Sequence, residues 1–389
     1  MRILLVSEAT SEMLGGVTTE VRRLINGLRG RGHRLALASE APVSGADADH
    51  FRLDMPRREA TLQQLRQSIS DFKPDIVHVV FAFSGGALFF ARELRRHPWV
   101  LTCHSVPPAE WTLRRLHGHE RLHYFVRAIR VWPETWLATR LYATRVPPRV
   151  IVHSDFMKRV VAGRLYPARR VDVIPFGFDP PDPAWPSGRL AMGTAPRLLT
   201  IGGITHSKGY HDAIEALAIV RRHHPGVRYD IMGEPRDPSY LQFLKQRAEQ
   251  LDLSSSVRFV ISATSEQIDA ALATADLFVQ PSHEEGFCLS YMEAAAHVPR
   301  LVGTRTGAIA EMSTDDPAAK TVAVGEPRAL ADAIVGLLGA ALSPATLSDR
   351  SSRLSERFPW NEYFARHESA YARIAAAAAT ASAPGDPAA

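Results

Sequence analysis

Two carboxylates and a run of backbone amides mark the place in this chain where chemistry is most readily built. In Val279 to Glu311, VQPSHEEGFCLSYMEAAAHVPRLVGTRTGAIAE, a short apolar strand gives way to a polar loop, a glycine and a helical pattern. Glu285 falls in the loop before Gly286, and Glu293 lies within the helix, with seven residues between them. The start of a helix presents unpaired N–H groups at the positive end of its dipole, so the amides of Phe287, Cys288 and Leu289 are suited to phosphate oxygens. Glu293, flanked by Met292 and three alanines, reads as a carboxylate in an apolar setting. Such a group needs hydrogen-bonding partners, and sugar hydroxyls supply them. The plainer account of Glu293 is a residue on the helix surface, and Glu284 reads as merely solvated.

Two further loops could meet an anion. GGITHSKG, Gly202 to Gly209, follows an apolar strand, and Lys208 would there face a phosphate as a point charge at the strand's carboxyl end. Its spacing is not that of a Walker A loop, which needs Gly-Lys followed by Ser or Thr. A solvated lysine ahead of a helix explains it equally well. Gly15-Gly16-Val17 opens the first helix in the same way, although a tight turn alone accounts for a glycine pair. No G-x-G-x-x-G dinucleotide fingerprint occurs.

These loops must be held by something, and the chain supplies a repeating frame. Apolar or β-branched runs at Ile3–Val6, Leu35–Ala38, Ile76–Val80, Val100–Thr102, Ile151–His153 and Val171–Ile174 read as strands. A second series runs through Leu198–Ile201, Tyr229–Met232, Val257–Val260, Leu277–Gln280, Leu301–Val302 and Thr321–Val324. Helices fit between them: Val21, Leu24, Ile25 and Leu28 share one face, and Ala213, Ile214, Leu217 and Val220 repeat the spacing. Nearly continuous apolar strands separated by helices imply parallel sheets covered on both faces. The expected fold class is therefore α/β, with two doubly wound domains. Prolines cluster between Pro175 and Pro196 and mark the break, and residues near 180–196 are the expected hinge. Trp360–Ile374 reads as a closing helix with Tyr363, Phe364, His367, Tyr371 and Ile374 along one side; the alanine-rich end reads as a frayed tail.

Composition excludes several classes. With 389 residues the chain needs no staples, and two distant cysteines, Cys103 and Cys288, rule out a disulfide framework or a multi-cysteine metal site. MRILLVSE runs straight into a strand, so no signal peptide is expected, and no apolar stretch is long enough to span a bilayer. Charge is divided unevenly. Residues 1–180 hold 27 Lys and Arg against 17 Asp and Glu, whereas residues 181–389 hold 19 against 24. A basic first half suggests an anionic partner. Within it, Trp111–Arg149 carries eight arginines, two acids and interleaved Trp, Tyr and Phe, a composition suited to an anionic membrane surface. Aromatics packed on the sheet with arginines solvated outside explain it as well. Single-stranded nucleic acid is the weaker candidate, since no RNA-binding motif accompanies the arginines.

With these residues in view, the chain resembles the retaining glycosyltransferase family 4 (glycosyl transferases group 1), of GT-B fold. The resemblance rests on EGFCL from Glu285, then Glu293 and the GAIAE turn from Gly307 to Glu311. It is supported by GGV at Gly15, RGH at Arg31–His33, PDIVH at Pro74–His78, TCHS around His104, VIPFGFD at Val173–Asp179 and the Trp-containing final helix. It implies two Rossmann-like domains facing across a cleft: 1–185 on the acceptor side, 190–356 binding the nucleotide sugar, 357–375 crossing back to the first domain, and 376–389 disordered. It also implies roles. Glu293 would bind the ribose hydroxyls and Glu285 those of the donor sugar; Lys208 and the amides after Gly286 would hold the diphosphate, with Gly16 closing over it. His104 would stand near the reacting sugar, and Glu285, His104 and Lys208 would form the catalytic set. Four departures stand out, one of them Ala308 in place of the second glycine of the GAIAE turn. The family has an arginine where this chain has Gly203, so one of two cationic diphosphate contacts is missing or supplied elsewhere. Cys288 replaces a glycine, with little steric consequence expected if only its amide is used. Phe176 stands where asparagine is common.

The activity implied is metal-independent, retaining transfer of a sugar from a nucleotide-sugar donor to an acceptor hydroxyl. A UDP-sugar ranks ahead of a GDP-sugar, and the acceptor is a glycan or lipid-linked molecule of cell-surface glycan or glycoconjugate synthesis. No cofactor, metal or nucleic-acid partner is expected. The expected location is the cytoplasm, with the inner face of the cell membrane as a contact. Two rivals follow from the same residues: an inactive homologue acting as a binding or scaffold subunit, and an NAD(P)-dependent oxidoreductase.

Overall fold

Alternating apolar strands and amphipathic helices build two separate parallel sheets. A computed structural model of the chain describes residues 1–8, 16–55, 58–83, 90–91, 93–105, 149–162, 166–181, 193 and 195–382. The chain divides into two units, Met1–Pro175 with Trp360–Ala389 (unit 1) and Phe176–Pro359 (unit 2).

Unit 1 contains β1 (Arg2–Ser7), α1 (Gly16–Gly30), β2 (Arg34–Ser39), β3 (Asp49–Arg52), α2 (Arg58–Phe72), β4 (Ile76–Phe83), β5 (Trp99–Ser105), β6 (Arg149–Val152), α3 (Asp155–Val161) and β7 (Val171–Val173). The strands lie in the order β3-β2-β1-β4-β5-β6-β7, every pair parallel. β3 escapes the sequence pattern because DHFR is polar and largely exposed, the composition of a protected edge.

Unit 2 contains β8 (Arg197–Ile201), α4 (Tyr210–His223), β9 (Arg228–Met232), α5 (Pro238–Gln250), β10 (Val257–Val260), α6 (Ser265–Thr274), β11 (Leu277–Gln280), α7 (Leu289–His297), β12 (Arg300–Thr304), α8 (Ile309–Met312), β13 (Ala319–Val322), α9 (Pro327–Gly339) and α10 (Thr346–Arg357). Its order β10-β9-β8-β11-β12-β13 is the 3-2-1-4-5-6 winding of a Rossmann sheet. Each unit has its own apolar core, one around Leu4, Val79 and Leu101, the other around Ile214, Ile231 and Val279.

The division between the units departs from the expected one. It falls after Pro175, not at 185–190, because Phe176 and Phe178 are both buried in unit 2. The Phe176 ring meets Phe287 at 5.2 Å, and the Phe178 N–H bonds the Phe358 carbonyl at 2.7 Å. The anticipated hinge at 180–196 and the aromatic segment at 111–148 lie mostly outside the described residues. Arg149, the last residue of that segment, is described: it opens β6 and grips Asp172 through two hydrogen bonds of 2.5 and 2.6 Å. The final helix, α11 (Trp360–Ser382), runs past the expected end at 375, because its alanines are good helix formers.

α11 belongs to unit 1 and buries Tyr363, His367, Tyr371 and Ile374. At Gly27 of α1 a β-carbon would strike the Phe364 ring, so the two helices meet at a residue without one. Arg23 sits over the Trp360 ring, 4.8 Å from its centroid.

Candidate functional site

In a doubly wound sheet, ligands gather beyond the carboxyl ends of the strands where the strand order reverses. In unit 2 that point lies between β8 and β11, and the loops leaving these strands carry Lys208 and Glu285. The loops are stitched together, for the N–H groups of His283 and Glu284 donate to the Ser207 carbonyl at 2.8 and 3.2 Å. Gly209 makes this approach possible. It adopts φ 64°, ψ 24°, and a β-carbon there would collide with the Pro281 carbonyl.

The outcome is an ion pair, Lys208 Nζ to Glu285 Oε1, at 2.7 Å. The same oxygen accepts from Ser282 Oγ at 2.6 Å and from Gln280 Nε2 at 3.1 Å. All three donors fall on Oε1, so Oε2 is the oxygen left to an incoming hydroxyl. Burial works against the Lys208 charge, but the Glu285 carboxylate outweighs it and raises the ammonium pKa. Lys208 therefore stays cationic, yet its charge is balanced by its partner. An anion approaching this pair alone would meet little net attraction.

A second cation stands beside it that sequence motifs did not single out. A β-carbon on Gly202 would lie 4.0 Å from Lys208 Cε, and one on Gly203 would lie 3.6 Å from Arg236 Cγ. Consecutive glycines thus have one basic stem over each. Arg236 arrives on the β9–α5 loop, which packs against the end of β8 because Gly233 has no β-carbon to strike the Gly202 carbonyl. The Ile204 N–H fixes that loop by bonding the Glu234 carbonyl at 2.7 Å. Arg236 is exposed and makes no ion pair among the described residues. The position expected to hold an arginine holds only backbone, and a guanidinium reaches it from the neighbouring strand end. The signal was present as an arginine three residues after the glycine that ends β9.

Gly286 is half-buried, and the loop then enters α7 through Phe287, Cys288 and Leu289. Cys288 is the residue before the helix and adopts φ 86°, ψ 72°. This corrects the expectation of little steric consequence: an L residue in the left-handed region costs roughly 1–2 kcal/mol. Burial pushes the Cys288 thiol up, so it is no ready nucleophile. Phe287 is clamped between the Phe176 and Phe358 rings, and its carbonyl accepts the Ala308 N–H at 3.0 Å. The GAIAE turn thereby holds the loop in place.

Glu293 also differs from its expectation. It is exposed, while Ala294, Ala295 and Ala296 are buried, because successive residues of a helix point in different directions. Its carboxyl pKa is raised by partial desolvation and then by Asp269 and Asp179. Glu284 is half-buried instead of merely solvated.

In unit 1, Gly16 begins α1 and is exposed, and Gly15 lies outside the described residues. His104 stands at the end of β5 and meets a residue that no motif flagged. Glu20, on α1 and wholly buried, reaches His104 Nε2 with Oε2 at 2.5 Å and His153 Nε2 with Oε1 at 3.2 Å. A second cluster of histidine and carboxylate lies in unit 2, with His283 Nε2 donating to Asp212 Oδ2 at 2.6 Å and His211 beside them. The shortest nitrogen–oxygen separations in both clusters are hydrogen-bond distances. Two ligand atoms sharing one tetrahedral ion would stand about 3.3 Å apart, a spacing met by the Glu20–His153 pair and not by the two shortest contacts.

Family models match both halves of the chain: "Glycosyltransferase Family 4" over residues 14–181 and "Glycosyl transferases group 1" over residues 185–350. A glycogen synthase of Mycobacterium tuberculosis is 25% identical over 387 residues, covering 92% of each chain. Among solved structures, a sucrose-phosphate synthase from Thermosynechococcus elongatus superposes with a TM-score of 0.76 at 18% identity, covering 97% of this chain and 99% of its own. Anabaena HepE, in complex with UDP and glucose, superposes with a TM-score of 0.73 at 19% identity, covering 96% and 100%.

Proposed function

Because the chain belongs to the group 1 glycosyltransferases of GT-B fold, we propose that it transfers a sugar from a nucleotide-sugar donor to an acceptor hydroxyl, with retention and without a metal. The observation that carries this proposal is the cradle at the ends of β8 and β11. Lys208 and Arg236 stand over adjacent glycines, α7 starts from the loop that carries Glu285, and Glu285 keeps one carboxylate oxygen open. A leaving nucleoside diphosphate gains negative charge as the glycosidic bond breaks, and fixed cations and amides aimed at it stabilise that state. Glu285 would take the sugar hydroxyls, Glu293 the ribose, and His104 the reacting sugar. The complex of HepE with UDP and glucose supports a nucleotide-sugar donor, and we rank a UDP-sugar ahead of a GDP-sugar.

The acceptor side belongs to unit 1, whose excess of Lys and Arg suits an anionic or lipid-linked acceptor of glycan or glycolipid synthesis. No described helix is long and apolar enough to cross a membrane. We place the enzyme in the cytoplasm, meeting any membrane at its surface.

A donor screen tests the proposal. The chain is incubated with UDP- and GDP-sugars and candidate acceptors, transfer is read by mass spectrometry, and the product's anomeric configuration is read by NMR. Transfer with the donor's configuration kept is the expected result. Nucleotide binding with neither hydrolysis nor transfer would make the chain a scaffold, and thermal stabilisation by NAD(P) but not by UDP or GDP would make it an oxidoreductase.

A further inference from the structure

Glu20 is a carboxylate wholly buried on α1, a helix whose other inward residues are Val21, Leu24, Ile25, Leu28 and Thr18. A lone ion there would be prohibitively costly, so its neighbours must supply charge and protons. They come from every surrounding element. Oε2 faces His104 Nε2 at 2.5 Å, and Oε1 faces His153 Nε2 at 3.2 Å and the Tyr363 hydroxyl at 3.4 Å. Beyond them His78 on β4 bonds the Tyr371 hydroxyl at 2.8 Å and Thr102 Oγ1 at 2.7 Å, and His367 on α11 donates to its own helix at the Tyr363 carbonyl.

The hydrogen bonds assign the protons. His153 Nδ1 lies 2.8 Å from the Ile174 carbonyl, which can only accept, so that nitrogen carries a proton. Its other nitrogen faces Glu20 Oε1 at 3.2 Å, and because the neighbouring histidines hold that carboxyl in its ionised form, the contact is attractive with Nε2 protonated too. His153 is therefore the counter-ion of Glu20. With that charge matched, His104 need only donate Nε2–H to Oε2, which leaves Nδ1 as the ring atom offered to the outside. The side chain of His104 keeps 15% of its surface, while Glu20 keeps none. The pattern is that of a buried carboxylate that fixes the tautomer and orientation of a working histidine.

Resting on the transferase role proposed for His104, we propose that Glu20 is a positioning residue, which locks His104 as the Nε2–H tautomer with Nδ1 turned to the reacting sugar, with His153 as its buried counter-ion. Glu20 itself touches no substrate. Tyr363 places the C-terminal helix in the same network, so α11 contributes to the orientation of His104. The lowered pKa of Glu20 agrees: burial alone would raise it, and His153 and His104 overcome that.

The test has two arms. In the wild-type chain labelled with 15N-histidine, the His104 signal, identified by its loss in His104→Gln, should be that of the Nε2–H tautomer. The Nδ1–H tautomer would overturn the proposal, and this arm needs no active enzyme. In Glu20→Gln, turnover should fall about tenfold or more while UDP affinity, which the proposed cradle in unit 2 supplies, holds within about twofold. Equal turnover in Glu20→Gln would refute Glu20 and leave the transferase assignment standing. A wild-type chain that binds UDP yet transfers nothing would sink the transferase assignment, and the tautomer would still decide whether Glu20 orients His104. One equivalent of a divalent ion in the purified chain, lost in Glu20→Gln, would overturn the proposal by making Glu20 a metal ligand.

Discussion

Replacing Arg236 by alanine isolates the cation that compensates for Gly203. Lys208 and Glu285 form a pair at 2.7 Å and cancel one another to first order, so Arg236 supplies the residual positive charge over the Gly202–Gly203 turn. A charge-assisted hydrogen bond from a guanidinium to a phosphate contributes about 1.5–3 kcal/mol. Arg236 is exposed and screened, which places the expectation at the lower end. A loss of about 1.5–2 kcal/mol raises Kd about 10- to 30-fold. Calorimetry with UDP and with uridine separates the cause: the UDP Kd should rise by that factor, and the uridine Kd should not move. A transplant sharpens the test. A β-carbon on Gly203 meets nothing closer than 3.6 Å, and the nearest atoms are those of Arg236 itself. Gly203→Arg combined with Arg236→Ala should therefore recover most of the lost UDP affinity. Equal losses for UDP and uridine would show that Arg236 holds the loop and not the diphosphate; failure of the transplant would show that the charge is not interchangeable between the two positions.

Lys208→Ala should likewise weaken UDP more than uridine, whereas Glu293→Ala should weaken both alike, on the order of tenfold, because the hydroxyls proposed as its partners belong to the ribose; calorimetry giving the reverse pattern would exchange their roles. Cys288→Gly should be more stable than Cys288→Ala by about 1 kcal/mol, since both lose the thiol and only glycine is at ease at φ 86°; the opposite order in urea unfolding would contradict the strain. Unit 1 should lose stability in mild acid. Burial, with His367 nearby, lowers His78 to about 3, and burial lowers His367 to about 4. Both lie below the unfolded value near 6.5, so the unfolded chain binds more protons and stability falls as pH drops from about 6.5 towards those values. Each histidine should cost about 1.6 kcal/mol between pH 6.5 and 5. The lowered Glu20 carboxyl adds its own loss only below the ordinary carboxylate range. A calorimetric transition of unit 1 unchanged between pH 7 and 5 would contradict this.

What was legible in the sequence was whatever chain-local pattern enforces. Apolar runs became strands because parallel strands are buried on both faces, and the 3.6-residue spacing of Val21, Leu24, Ile25 and Leu28 became the inner face of α1. Lys208 and Glu285 could be named separately, and the winding order then accounts for their meeting, since β8 and β11 are neighbours at the reversal point. The polar edge strand β3 gave no period to detect. Glu293 is exposed beside buried alanines because neighbours in sequence are not neighbours on a helix face, so those alanines carry no signal of its exposure.

The two groups that sequence did not reveal, Arg236 and Glu20, share a cause. Each acts on a residue distant along the chain through space that only the fold creates: Arg236 through the missing β-carbons of Gly203 and Gly233, Glu20 through the convergence of α1, β5, β6 and α11. Net charge could not have found either. Unit 2 contains all of 181–389 up to Pro359, a stretch richer in acids than bases, yet it is the unit that carries the anion cradle. Two placed cations and a few amides outweigh that surplus because the acidic groups elsewhere are solvated and screened beyond about 10 Å. On the proposed reading, the charge asymmetry bears on what unit 1 attracts, while donor binding would be decided in unit 2 by geometry within a few ångströms of Gly202 and Gly203.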